Sequence, residues 1–198
     1  MTYVLVLASA YVLGSIPFGL LVGQWWAKID VRKYGSGNIG MTNVLRTAGY
    51  VPALLPLIGD VGKGALAVLL AQRSVGNAFF SLLAGVLAVA GHNWPLFLGF
   101  KGGKGVATIA GVLLVSRPAA ALILFIIWVL MLLVFRYISL SSITCAVCLP
   151  FILFVTGASW IEVGLGVLLG AVTVFRHRSN IERLRRGTEF RFGERVQR

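Results

Sequence analysis

Between Thr2 and Ala27 the chain carries no charged side chain, and six further apolar runs follow at about 50–72, 75–98, 104–116, 118–135, 141–158 and 160–175. About 20 apolar residues of helix match a hydrocarbon core of ~30 Å, and inside it each segment must satisfy its own backbone N–H and C=O groups. Runs of this kind therefore fold as membrane helices. With 58% hydrophobic residues, 12% charged residues and a mean hydropathy of +0.91 over 198 residues, a water-facing globule is excluded. The expectation is an all-α integral membrane protein of about seven transmembrane helices, with 1–198 forming a single domain. The first run lacks a preceding positive region and a clear cleavage site, so it reads as a retained span. The fourth run is short, and Arg117-Pro118 reads as a tight turn to the fifth; merging those two would change the topology.

Seven spans place the polar stretches 28–49, 99–104 and 136–142 and the tail on one side. Of the 18 Lys and Arg, only Arg73 and Arg117 fall in the opposite connections and Lys63 inside a run, leaving 15 on that side. The positive-inside rule makes that side cytoplasmic, with the amino terminus outside and the carboxyl terminus inside. The net charge of +12 has its source here, and no nucleic-acid partner is expected. From Arg176 onward eight arginines face Glu182, Glu189 and Glu194, and one reading of this tail is an anchor on anionic headgroups. Cys145 and Cys148, three apart in an apolar run, read as packing residues. His92 and His177 are the only histidines and the cysteines lie elsewhere, so no metal set is expected.

Two polar, glycine-rich stretches interrupt this pattern. Residues 35–49 read GSGNIGMTNVLRTAG, in which glycines allow the backbone to turn N–H groups toward an anion, Ser36, Asn38, Thr42 and Asn43 add short donors, and Arg46 adds a forked cation. The G-x-G-x-x-G at 35–40 follows a membrane helix rather than a strand, which removes the dinucleotide-fold reading. Residues 91–105 read GHNWPLFLGFKGGKG; if a helix begins near Lys101, Lys101 and Lys104 share one face at its amino terminus and form a second phosphate clamp. Neither GFKGGKGVA nor GDVGKGA supplies the hydroxyl of a Walker loop, which argues against ATP hydrolysis. Snorkelling to headgroups is the alternative for the lysines, and it leaves the glycines unexplained.

His177 and Asn180 lie three apart beyond the last run and would share a helix face, as interfacial residues or as site residues. The spacing from His177 to Glu182 is a near miss to the H-x-x-x-x-D motif of one acyltransferase class. Asp60 and Lys63, i and i+3 inside a run, either pair with each other or line a polar cavity, because an unpaired charge at mid-bilayer costs about 3 kcal/mol. Ser141 and Ser142 stand where the sixth run begins and read as helix caps. Glu162 reads as interfacial, near the outer end of the seventh run.

GSGNIGMTNVLR, GHNWPLFLGFKGGKGVAT and HRSNIERLRRGTE resemble the three signature stretches of the bacterial acyl-phosphate:glycerol-3-phosphate acyltransferases, the PlsY family. The similarity covers the whole chain in order and length, with Met41 standing where the family usually has alanine, a change expected to affect packing alone. It implies transfer of a fatty acyl group from acyl phosphate to the 1-hydroxyl of glycerol 3-phosphate, giving lysophosphatidic acid and inorganic phosphate in the bacterial inner membrane. No cofactor and no obligate protein partner are implied beyond the two substrates and membrane lipids. By the same resemblance Ser36, Gly37, Asn38, Thr42 and Arg46 hold phosphate and glycerol groups, together with Lys101, Gly102 and Gly103. Lys104, His177, Asn180 and Ser142 form the catalytic set.

Acyl phosphate is an activated mixed anhydride, so a protein using it mainly positions two anionic substrates and offsets their repulsion. The proton acceptor is either neutral His177 or the substrate's own phosphate, whose second pKa is about 6; substrate assistance is the reading favoured here, since no carboxylate is evident beside His177. The alternatives are a transporter of a phosphorylated metabolite, which predicts access from both sides, and a scaffold, which leaves 35–49 and 99–105 without purpose. CDP-alcohol transfer ranks lower, because its metal-binding carboxylate cluster is missing.

Overall fold

The computed structural model describes residues 1–195, so Arg198 of the basic tail lies outside the described residues. Among them run ten helices: α1 Thr2–Gly14, α2 Phe18–Trp26, α3 Met41–Ala48, α4 Tyr50–Val75, α5 Ala78–Asn93, α6 Val106–Ser116, α7 Pro118–Phe135, α8 Ile138–Val155, α9 Trp160–Arg176 and α10 Arg178–Arg185. The all-α expectation holds. Among the described residues, Thr2–Trp26, Tyr50–Val75, Ala78–Leu98, Pro118–Phe135 and Ile138–Val155 are long and apolar enough to cross, and α9 with α10, bent by 56°, makes a sixth, while α6, the expected fourth run, does not meet that test. Length is the reason. The 11 residues of α6 reach only about 16 Å at ~1.5 Å per residue, half of a bilayer core.

The first run also departs from a continuous helix. It breaks between Gly14 and Phe18 because Pro17 has no N–H to donate and disfavours helical backbone at Ile16. The turn expected at Arg117-Pro118 is present, with Pro118 at the first position of α7, where its missing N–H leaves no helical bond unmade.

The described chain divides into two compact units, residues 1–115 with the tail from Gly193, and residues 116–192. In the first, α1, α4 and α5 meet through Ala10, Ala67, Ala71, Ala84 and Ala88. Gly14 lies against the Ala88 backbone and Gly111 of α6 against the Val61 carbonyl, each too close to admit a Cβ. Lipid offers little hydrophobic drive between helices, so close backbone approach and dispersion hold them. A second cluster, Leu20, Val22, Val31, Ile39, Val44 and Ala53, binds α2, the 31–40 segment, α3 and the start of α4 together, and Met41 packs against it.

In the second unit α8 lies between α7 and α9. Gly170 of α9 sits against the Ala146 carbonyl of α8, and α7 turns Leu122, Phe125, Leu130 and Leu133 outward as a lipid-facing surface. Groups that the charge pattern assigns to the same side meet within this unit. Arg117 Nε donates to Glu162 Oε1 at 2.7 Å, and the Phe192 N–H donates to the Arg136 carbonyl at 2.7 Å. Glu162 also completes a capping box with Ser159 at the start of α9.

Candidate functional site

The 28–49 segment is a turn-rich strap held from within. Asp30 caps a short 3₁₀ turn at Val31–Lys33 and is gripped by Arg32, whose guanidinium bonds hold its carboxyl down at about 2, so it stays ionised at neutral pH. Asn43 is the hub. Its Oδ1 accepts the Ser36 N–H at 2.9 Å, and its Nδ2 donates to the Val31 carbonyl at 2.7 Å and the Tyr34 carbonyl at 3.2 Å. Gly35, at φ +59°, leaves room for that amide, since a Cβ there would strike Asn43 Oδ1.

These bonds correct the expectation that Asn43 and the loop glycines are donors to an anion. The N–H groups of Ser36, Gly37 and Gly40 go to Asn43 Oδ1, the Tyr34 carbonyl and Asn38 Oδ1 respectively. The start of α3 has Gly40 as its N-cap, which provides no side-chain cap for the first N–H groups. Thr42 and Arg46, i and i+4 on α3, share the face above them, with Arg46 buried and Thr42 half-buried.

The 99–105 stretch is a loop, not the first turn of a helix: α6 begins at Val106. The shared helix face expected of Lys101 and Lys104 is therefore absent, and the reason is His92. Its carbonyl accepts the Gly103 N–H at 2.9 Å, and its ring occupies the place where a Gly103 Cβ would stand. The backbone there follows the end of α5 instead of winding into α6. Lys101 is exposed and Lys104 half-buried.

In the second unit His177 and Asn180 sit at the bend between α9 and α10, both buried at 3% exposure. The Asn180 N–H donates to the His177 carbonyl at 2.8 Å, so the pair is one turn deep, as its spacing implied. His177 Nδ1 faces the Thr173 carbonyl at 2.8 Å; that oxygen only accepts, so in the neutral ring Nδ1 carries the proton and Nε2 is the basic nitrogen.

Sequence reasoning missed the residue that orders this bend, Glu189. Its Oε1 accepts from Asn180 Nδ2 at 2.8 Å and Ser139 Oγ at 2.9 Å, and its Oε2 from Arg183 Nε at 2.7 Å. Only the amide nitrogen of Asn180 can donate to a carboxylate, so these bonds also fix which way the amide points. Its signal was the apolar-poor helix 178–185 followed by a carboxylate one loop away.

Ser141 and Ser142 are not caps. Helix α8 begins at Ile138, and both hydroxyls donate back to carbonyls four residues earlier, those of Tyr137 and Ile138. The Ser142 hydroxyl also accepts from Trp128 Nε1 at 3.2 Å. Of the two readings left open for Asp60 and Lys63, the pairing is present, with Nζ and Oδ1 2.9 Å apart. Among the described residues no group of three or more His, Cys, Asp or Glu could hold a metal ion.

The family model for glycerol-3-phosphate acyltransferase matches residues 4–187. A glycerol-3-phosphate acyltransferase of Alkaliphilus metalliredigens (strain QYMF) is 47% identical over 196 residues, covering 99% of each chain. The crystal structure of PlsY (YgiH), an integral membrane glycerol 3-phosphate acyltransferase, in its glycerol 3-phosphate form matches with a TM-score of 0.91 and 40% identity over 98% of this chain and 96% of that one. Its lysophosphatidic acid form matches with a TM-score of 0.88 and 39% identity over the same shares.

Proposed function

The chain belongs to the glycerol-3-phosphate acyltransferase family, an integral membrane enzyme that acylates glycerol 3-phosphate to lysophosphatidic acid, and from that premise we propose its donor, its sidedness and the residues that act. Acyl phosphate is the donor. The glycerol 1-hydroxyl oxygen attacks the acyl carbonyl carbon, the bond from that carbon to the phosphate oxygen breaks, and inorganic phosphate leaves with the acyl group on glycerol 3-phosphate. Such a reaction needs cations and amide donors more than a strong base, because the leaving group is already good.

The observation that carries the reading is the pairing of residue types in the first unit: the bare start of α3 beside Thr42 and the buried Arg46, and the lysine loop held on His92. We assign one phosphate to Thr42 and Arg46, with Ser36, Gly37 and Asn38 shaping the approach. A second falls to Lys104 and Lys101 around Gly102 and Gly103. In the second unit, His177 Nε2 accepts from a substrate hydroxyl, the Asn180 amide orients it, and Ser142 contributes a further hydrogen bond. The whole chain acts as one catalytic domain. With α6 counted as a short crossing among seven, fifteen of the 18 Lys and Arg fall on one side, which supports the cytoplasmic face of the bacterial inner membrane as the side of reaction, with the amino terminus outside.

Two assays on purified protein in detergent test this. With glycerol 3-phosphate as acceptor, palmitoyl phosphate is expected to yield lysophosphatidic acid and phosphate while palmitoyl-CoA yields neither; equal turnover from the thioester would remove the donor assignment. His177→Ala is expected to lower turnover about 10-fold with KM retained, short of the roughly 10²–10⁴ that loss of a general base carries. A neutral carbonyl behind Nδ1 supports a developing imidazolium less than a carboxylate does, which favours the substrate phosphate as proton acceptor. Complete loss of turnover at unchanged KM would move that role to His177.

A further inference from the structure

A buried ionic cluster in the first unit takes no part in the reaction as described. Asp60 and Lys63 on α4 and His92 on α5 are all 5% exposed or less. One carboxylate oxygen, Asp60 Oδ1, lies 2.9 Å from Lys63 Nζ and 3.3 Å from His92 Nδ1. Neutralising a charge is a sufficient account of a two-membered pair. It does not account for the third member, nor for where the outer ends of the cluster lead.

Both ends lead toward the phosphate-binding segments. Lys63 Nζ also donates to the Ile16 carbonyl at 2.9 Å, at the break between α1 and α2. Helix α2 then presents Gly19 directly beneath the Ile39 carbonyl of the 35–49 segment. At the other end, the His92 ring turns Nδ1 to the carboxylate and Nε2 to Gly103, where no side chain would fit, and the His92 carbonyl takes the Gly103 N–H. Gly102 lies against the same carbonyl. Rotation of the ring away from Asp60 would drive it into the loop that carries Lys101 and Lys104.

We propose that Asp60, Lys63 and His92 are positioning residues: the cluster sets the height and direction of the 101–105 loop, and through Ile16 and α2 the seat of the 35–49 segment. The inference rests on the reading of 101–105 as a phosphate-binding loop. A loop displaced by about 1 Å loses affinity and alignment for a phosphate even when the fold is intact.

The test is the double variant Asp60→Asn with Lys63→Met, which removes both charges together and leaves neither one buried alone. It is assayed in detergent with palmitoyl phosphate and glycerol 3-phosphate, alongside its melting temperature. The expected result is a melting temperature within a few degrees of the parent, a KM for glycerol 3-phosphate raised about 10-fold, and kcat within about 3-fold. Unchanged kinetic constants in the folded double variant would overturn the proposal and leave the cluster as a neutralised charge. If the double variant does not fold, His92→Gln decides, because it keeps the Asp60–Lys63 pair: a raised KM supports positioning and an unchanged KM overturns it. Lys104→Ala run beside them separates the two claims, since a fully active Lys104→Ala removes the phosphate-loop reading itself, whereas an inactive one with unaltered cluster variants removes only the positioning role.

Discussion

Lys104→Ala is expected to lower kcat/KM for acyl transfer by roughly 10²–10³-fold with little change in melting temperature, the size of effect that follows loss of one preorganised donor to developing charge. The loss concentrates in the chemical step. As the acyl–phosphate bond breaks, negative charge gathers on the departing phosphate, and an ammonium fixed beside it is worth more at that moment than in the bound ground state. The fold should hold because the loop backbone is anchored by the Gly103 N–H on the His92 carbonyl. Lys104→Arg is expected to restore only part of the rate, since a longer planar fork cannot take the position of a compact ammonium in a half-buried loop. Activity of Lys104→Ala within 2-fold of the parent, measured as phosphate release, would remove this residue from the site.

Helical class and membrane placement were legible because bilayer physics writes them into composition and run length, and the Asp60–Lys63 pair because i and i+3 meet on any helix. What the pattern concealed was contact at a distance. His92 reads as one polar residue ending an apolar run, and nothing local announces that it faces Asp60 and shapes Gly103. For that reason Lys101 and Lys104 looked like neighbours on a helical turn, whereas the chain there is pinned to α5 and forms a loop. Asn43 was misread as a ligand because its residue type suits both tasks, and only the three bonds it makes to its own strap decide between them. Ser141 and Ser142 were misplaced by one turn: Tyr137 and Ile138 are apolar enough to begin the helix, so the serines entered its interior. Hydropathy likewise marked 104–116 as an apolar run without showing that its helix is only 11 residues long.

Glu189→Ala is expected to be the most damaging single change in the second unit, destabilising it by about 3–5 kcal/mol, the range for removing one partner of a buried ion pair. The carboxylate is buried and accepts from three donors, so its loss leaves Asn180 Nδ2, Ser139 Oγ and Arg183 Nε without that acceptor at once. Asn180 then loses the bond that fixes its amide, and acyl transfer falls with the fold. Glu189→Gln separates the two consequences. A glutamine carbonyl placed at Oε1 still accepts from Asn180 and Ser139, but its amide nitrogen then faces Arg183 Nε, donor against donor, at a cost of about 1–3 kcal/mol. The glutamine variant should therefore melt lower than the parent yet keep much of its turnover at temperatures where it is folded, while the alanine variant keeps neither. Melting temperature and phosphate release measured on both proteins in the same detergent check this; a Glu189→Ala protein as stable and active as the parent would show that the bend between α9 and α10 is ordered by other contacts.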